Sequence, residues 1–224
     1  MEQTPYLESN PFLAVRYADN PDPRCPCVLV LDRSGSMAGA PIAELNAGLQ
    51  QFRAELMGDE LAARRVEIAV VPFGPLVRGS TFHTPIEFQP QPLDAGGDTP
   101  TGAAVEYAIE LVAQQKAVYK QNGVPYYRPW IILITDGQPT DGWSNAARLV
   151  HDGEAQKAFS FFAIGVSGAD MGVLRKLAVR EPLRLQGLAF REFFLWLSAS
   201  LSSVSKSTVG DSVALPTPTG WSSV

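Results

Sequence analysis

Two short apolar runs, each ending at an aspartate, constrain this chain more than any other feature. Cys27-Val28-Leu29-Val30-Leu31 leads into Asp32, and Trp130-Ile131-Ile132-Leu133-Ile134, closed by Thr135, leads into Asp136. Runs without polar alternation read as strands buried on both faces, the kind found in parallel sheets covered by helices. Val66 to Phe73 and Phe159 to Val166 read the same way, and Pro182 to Leu185 as a shorter strand. Helical stretches lie between them. Ile42, Leu45, Leu49, Phe52 and Leu56 recur three and four apart from Ala40 to Met57, which gives a helix with one buried face. Thr99-Pro100 opens a second helix, to about Gln121, with threonine as N-cap and proline in the first turn. Ser144 to Ala158 and Asp170 to Leu177 are helical, and Phe190, Phe193, Phe194, Leu197, Leu201 and Val204 mark a last amphipathic helix. Val77 to Phe88 alternates and carries turn residues, so it reads as an antiparallel edge strand or hairpin.

Strands alternating with helices predict an α/β fold: a doubly wound, mostly parallel sheet with one antiparallel edge strand and helices on both faces. A chain of 224 residues, 46% hydrophobic, suits one such domain. The expected organisation is an N-terminal extension over 1–24, the domain over 25–205, and a tail over 206–224. The tail is rich in Ser, Thr, Pro and Gly, and its Leu215 and Trp221 predict docking on the domain.

The net charge of -5, without a basic stripe, argues against nucleic acid or anionic membrane as the main partner. No apolar run approaches the roughly 20 residues of a membrane helix. Met1 to Asn20 lacks the basic and apolar regions of a signal peptide, so the expected compartment is the cytoplasm. Cys25 and Cys27 lie too close in sequence for an easy disulfide. With His83 and His151 the only histidines, zinc is poorly supported.

In doubly wound sheets ligands bind beyond the carboxyl ends of the strands, where strand order reverses. Asp32 and Asp136 stand at two such exits. If those strands are neighbours, both carboxylates face one crevice, which the loop Gly96-Gly97-Asp98-Thr99 can reach. The donors there are hydroxyls of Ser34, Ser36 and Thr99 and carboxylates of Asp32 and Asp136. An oxygen-only set suits a hard cation: magnesium first, with manganese or calcium as alternatives. Neutral hydroxyls leave much of the cation's charge uncompensated. Its open position would attract an anion, and a Glu or Asp side chain of a partner protein fits.

Taken singly, these residues have plainer readings. Asp32, Ser34 and Ser36 read as helix-capping loop residues, Thr99 as an N-cap and Asp136-Gly137 as a turn. Their joint occurrence at strand exits favours the metal. Asp98 and Asp141 read as solvated loop or rim charges, and His83 and His151 as surface or packing residues. Trp143 reads equally as a partner-contact aromatic and as a packing residue.

Asp32-Arg33-Ser34-Gly35-Ser36, the distant Thr99, and Thr135-Asp136-Gly137 together resemble the metal-ion-dependent adhesion site of von Willebrand factor A-type (VWA) domains. The resemblance runs from about Pro26 to Val204. It implies a Rossmann-like VWA fold, with Ser34, Ser36 and Thr99 as direct ligands and Asp32 and Asp136 acting largely through water. Within the family, Val28 to Met37, Trp130 to Asp141 and the tail Leu215 to Trp221 are most similar to bacterial TerY-type proteins of tellurite-resistance and stress clusters. That likeness implies a scaffold in phosphorylation signalling, with a protein kinase and a metal-dependent protein phosphatase as partners. No P-loop, Gly-x-Gly-x-x-Gly or Gly-x-Ser-x-Gly motif points to an enzyme. Two other readings stay open: a metal-dependent phosphoester hydrolase, and a tethering domain whose metal is purely structural.

Overall fold

The computed structural model describes residues 17, 20–218, 222 and 223. A six-stranded sheet in the order β2-β1-β3-β4-β5-β6 forms the middle layer. The strands are β1 (Cys25–Asp32), β2 (Val66–Phe73), β3 (Trp130–Thr135), β4 (Ser160–Gly165), β5 (Leu183–Leu185) and β6 (Ser222–Ser223). β1 to β5 pair in parallel. β6 alone is antiparallel, closing the far edge against Arg184 and Leu185. From residue 20 onward, the α-helices among the described residues are α1 (Ala40–Met57), α2 (Glu60–Arg65), α3 (Thr101–Gln121), α4 (Ser144–Ala155), α5 (Met171–Leu177) and α6 (Phe190–Lys206).

The pleat sorts the core into two layers. Cys27, Leu29 and Leu31 of β1 and Ile132 and Ile134 of β3 point to one face, where α1, α2 and α6 cover them with Leu49, Phe52, Ala62, Phe194 and Leu201. Val28, Val30, Ile131 and Leu133 point to the other face, against Val105, Ala108 and Val112 of α3, Val150 of α4 and Leu174 of α5. Both central strands are buried along their whole length, which is why their sequences lack alternation.

The edge at β2 differs from expectation. Val77–Phe88 does not form a regular strand. It meets β2 through one antiparallel bridge, in which His83 and Ile68 exchange two backbone hydrogen bonds. Ser80 adds two more to Val70, one from its amide and one through its Oγ. Gly79 fits beneath the Tyr107 ring, Pro85 lacks an amide hydrogen, and the run breaks into bonded points. α2 was not expected; its signal is Asp59, whose carboxylate accepts from the amides of Leu61 and Ala62.

The thiols of Cys25 and Cys27 are fully buried in the same core layer. Burial pushes Cys25 up to about 12 and Cys27 well above its ordinary range, so neither is a ready nucleophile or metal ligand. Beyond α6, Pro216 O accepts a hydrogen bond from Trp196 Nε1 at 2.7 Å, while Val213 and Leu215 pack on the core. Trp221 and the extension over 1–16 lie outside the described residues. Among the described residues, no helix is long and apolar enough to cross a membrane.

Candidate metal centre

The chain crosses from β2 over to β3 on the other side of β1, so strand order reverses between β1 and β3. These two strands are hydrogen-bonded neighbours, with Leu31 opposite Ile134. Asp32 and Asp136 therefore leave the sheet side by side.

Asp32 is completely buried and uses both oxygens. Oδ1 accepts the Ser34 amide at 2.8 Å and Oδ2 accepts the Thr135 hydroxyl at 2.5 Å. It thereby bends the first loop back over β1 and ties that loop to β3. Gly35–Met37 form one 3-10 turn, pinned by the buried Met37 side chain. From it, Ser34 Oγ lies 3.0 Å from Ser36 Oγ, and Ser36 Oγ donates to Asp136 Oδ1 at 2.7 Å. Ser34 and Asp136 are buried, whereas Ser36 is exposed, so the cluster opens to solvent at Ser36.

The loop before α3 closes the other side. Gly35 donates its amide to Gly97 O at 3.0 Å and Gly96 donates to Arg33 O at 2.7 Å. Gly97 has φ +78, and a Cβ there would lie 2.6 Å from Pro75 N, so only glycine suits this approach. Thr99 is buried, and a Cβ on Gly137 would come within 3.0 Å of Thr99 Oγ1. The missing side chain at Gly137 thus lets the Thr99 hydroxyl lie over the exit of β3.

Thr99 does not cap α3 with its side chain. The helix begins at Thr101, and its first free amides, Gly102 and Ala103, donate to the Asp141 carboxylate at 3.0 and 2.8 Å. Among the described residues no hydrogen bond engages Thr99 Oγ1. Thr140 clamps the Thr99 backbone instead: its hydroxyl accepts the Thr99 amide and its own amide donates to Thr99 O. Asp141 is therefore a tertiary cap rather than a solvated rim charge. Asp141→Ala is expected to lower stability by about 1–2 kcal/mol, with Asp141→Asn losing less, as urea denaturation would read.

Asp98 is exposed at the rim. Trp143 is half-buried where α4 begins. His83 Nε2 pairs with Thr81 Oγ1 and His151 Nε2 with Lys176 O, both away from the cluster.

The electrostatics suit a cation. Burial raises the Asp136 carboxyl above its ordinary range, the Ser36 hydrogen bond opposes that, and the charge of Asp32 adds to it. Two carboxylates held together out of water are costly unless positive charge joins them. The donor set fits a hard divalent ion: hydroxyls of Ser34, Ser36 and Thr99, with the Asp136 carboxylate beside Ser36 and Asp32 ordering the loop behind them. Among the described residues no group of three His, Cys, Asp or Glu side chains forms a metal cage. Where the neutral hydroxyls of Ser34, Ser36 and Thr99 are the direct ligands, an ion here would meet the two carboxylates less closely and could still take an anion at an open position.

The profile of the von Willebrand factor type A domain matches residues 27–191. This chain belongs to that family. A comparison of the VWA chain with curated proteins gives no match. Among solved structures it is similar to the pilus adhesin SpaC from Lactobacillus rhamnosus GG in its open conformation, with TM-score 0.68 and 12% identity over 81% of this chain and 30% of that one. It is also similar to proximal thread matrix protein 1 from the mussel byssus, with TM-score 0.59 and 18% identity over 82% and 49%. The ArnB paralog VWA2 from Sulfolobus acidocaldarius gives TM-score 0.51 and 16% identity over 80% and 45%. These likenesses are of fold, and the VWA chain spans half or less of each of those chains. VWA domains generally serve adhesion or protein interaction.

Proposed function

We propose that this VWA domain binds one divalent cation, magnesium by its donor set, and uses it to grip a Glu or Asp side chain of a partner protein. The observation that carries this reading is the hydrogen-bonded chain Ser34–Ser36–Asp136, set on the buried Asp32 and facing Thr99. It offers many oxygens and only two negative charges. Ser34, Ser36 and Thr99 would hold the ion, with Asp32 and Asp136 acting largely through water. When bound, the ion supplies a positive centre for an anion. The protein orders the loops that present it, through the Asp32 and Thr140 contacts.

A binding role rather than catalysis is favoured by the surroundings of the serines. Both histidines are engaged elsewhere, so neither serine has an imidazole beside it to act as a base. The more specific setting, a scaffold for a kinase and a metal-dependent phosphatase in a bacterial tellurite-resistance or stress cluster, rests on the likeness of Val28 to Met37, Trp130 to Asp141 and the tail to TerY-type proteins. A cytoplasmic location belongs to that same reading.

Titration calorimetry tests the ion. The wild type should take up one magnesium ion, and the Ser34→Ala/Ser36→Ala variant should give no heat while keeping its fold by circular dichroism. At free magnesium roughly 100 times Kd, the wild type should gain about 2.7 kcal/mol of stability that the variant lacks. Equal binding by both proteins would remove the site.

A further inference from the structure

At the opposite end of the sheet from the candidate metal centre, a cavity of about 500 Å³ opens between the first residues of β3 and β4, the end of α6 and the tail. We infer that it is a binding site for a small amphipathic anion, an apolar body carrying a carboxylate or phosphate.

The floor is apolar. Trp130 and Phe162 pack ring to ring with centroids 5.1 Å apart, and Leu215 closes in from the tail. The rim is cationic: Arg128, Lys157 and Arg180 all line it. One carboxylate behind them, Glu154, is shared. It accepts from Arg128 NH2 at 2.6 Å, from the Phe161 amide at 2.6 Å and from Arg180 NH1. At 6% exposure it is saturated, and one negative charge cannot neutralise two guanidiniums. Arg180 also lies over the Phe162 ring, its guanidinium carbon 5.0 Å from the centroid, which places charge directly at the edge of the apolar floor. Asp211 is the acid on the lining itself, and its carboxylate accepts the Thr208 amide. The balance is three cations against two carboxylates, one of them turned to its own loop.

Lys157 adds an independent sign. It has no ion-pair partner among the described residues. It is the one non-glycine residue among them in the left-handed region, at φ 55, just past the end of α4. Glycine or asparagine ordinarily takes such a position at lower cost. A strained lysine there, on the rim of a cavity already rich in positive charge, keeps a cation where stability alone would favour glycine. The roof is a strap held at its two ends. Tyr127 Oη donates to Ser207 O at 2.5 Å, and Trp196 Nε1 holds Pro216. The volume suits a small ligand, and the mixture of apolar floor and a few charged groups is that of a ligand pocket.

The test uses the full chain in EDTA, so that a carboxylate cannot bind through a metal ion. Calorimetry would compare 4-phenylbutyrate, phenyl phosphate and the neutral 4-phenylbutyramide. At least one anion should bind at one per chain, with the amide about tenfold or more weaker. Lys157→Gly should weaken the anion while raising Tm by about 2–4 °C, and Arg180→Gln should weaken it as well. Binding by neither anion, equal binding of the amide, or unchanged affinity in both variants would overturn the proposal. The preference between the two anions identifies the head group as carboxylate or phosphate.

Discussion

Glu67→Ala should cost about 3–5 kcal/mol of folding stability, the largest effect expected of any single substitution considered for this chain. Glu67 and Arg24 are a buried ion pair at the amino end of the sheet, 0% and 1% exposed, with Arg24 Nε 3.3 Å from Glu67 Oε1. Tyr119 Oη and Gln115 Nε2 also donate to Glu67, and Arg24 donates to the backbone oxygens of Asp22 and Asn20. The Tyr17 ring covers the guanidinium at 5.4 Å. Removing the acid leaves a buried cation and buried donors without their acceptor, while the desolvation already imposed on Arg24 stays. The comparison that isolates the cause is the double variant Arg24→Met/Glu67→Leu. Replacing both charges with apolar groups removes both desolvation penalties, so it should recover the part of the loss due to the unpaired Arg24 charge, while Tyr119 and Gln115 still lack the Glu67 acceptor. Urea denaturation reads both. A double variant as unstable as the single one would mean that the segment before β1 is held by the pair's hydrogen bonds rather than limited by its charge.

Asp32→Ala is the second. Two buried donors, the Ser34 amide and the Thr135 hydroxyl, lose their acceptor at about 1–3 kcal/mol each. Removing the negative charge also relieves Asp136, but Asp32 is the smallest of the three main influences on that carboxyl, after burial and the Ser36 hydrogen bond. The hydrogen-bond loss should therefore win, giving a net cost of about 2–4 kcal/mol. Magnesium affinity should fall by about 10–100-fold, as when the groups that orient a metal's ligands are removed. Asp32→Asn separates the two effects. It keeps an oxygen acceptor and should lose less stability, yet its affinity should fall as far, because the charge and the loop order both suffer. An Asp32→Asn protein that binds magnesium as well as wild type would show that Asp32 serves only the fold.

The readable parts of this molecule were those whose signal is local. β1 and β3 announce themselves because both faces are buried, and α1 spans the residues its apolar spacing marks out. That Asp32 and Asp136 could share one crevice was legible only on the condition that their strands adjoin at the reversal, and the pairing of β1 with β3 meets that condition. What escaped depends on residues far apart in sequence. The cap of α3 comes from Asp141, about forty positions onward, and it can act only because the β3 exit loop lies against the helix start. A threonine followed by proline looks the same in sequence whether its hydroxyl caps a helix or faces a neighbouring loop. Val77–Phe88 misled because alternation describes a stretch that touches β2 at points as well as one that pairs continuously. The cationic cavity was invisible for the same reason. Arg128, Arg180 and the turn that carries Glu154 and Lys157 are separate segments, and only the fold brings the two guanidiniums to one acid.

The measurement that bears most directly on the central claim is partner capture from a lysate of the source cell. Three baits are compared: wild type in magnesium, wild type in EDTA, and folded Ser34→Ala/Ser36→Ala in magnesium. A protein retained by the first alone, and lost when one of its own Glu or Asp residues is changed to Ala, is the predicted result. The same proteins held equally by all three baits would contradict it, leaving any metal at Ser34, Ser36 and Thr99 without a part in recognition.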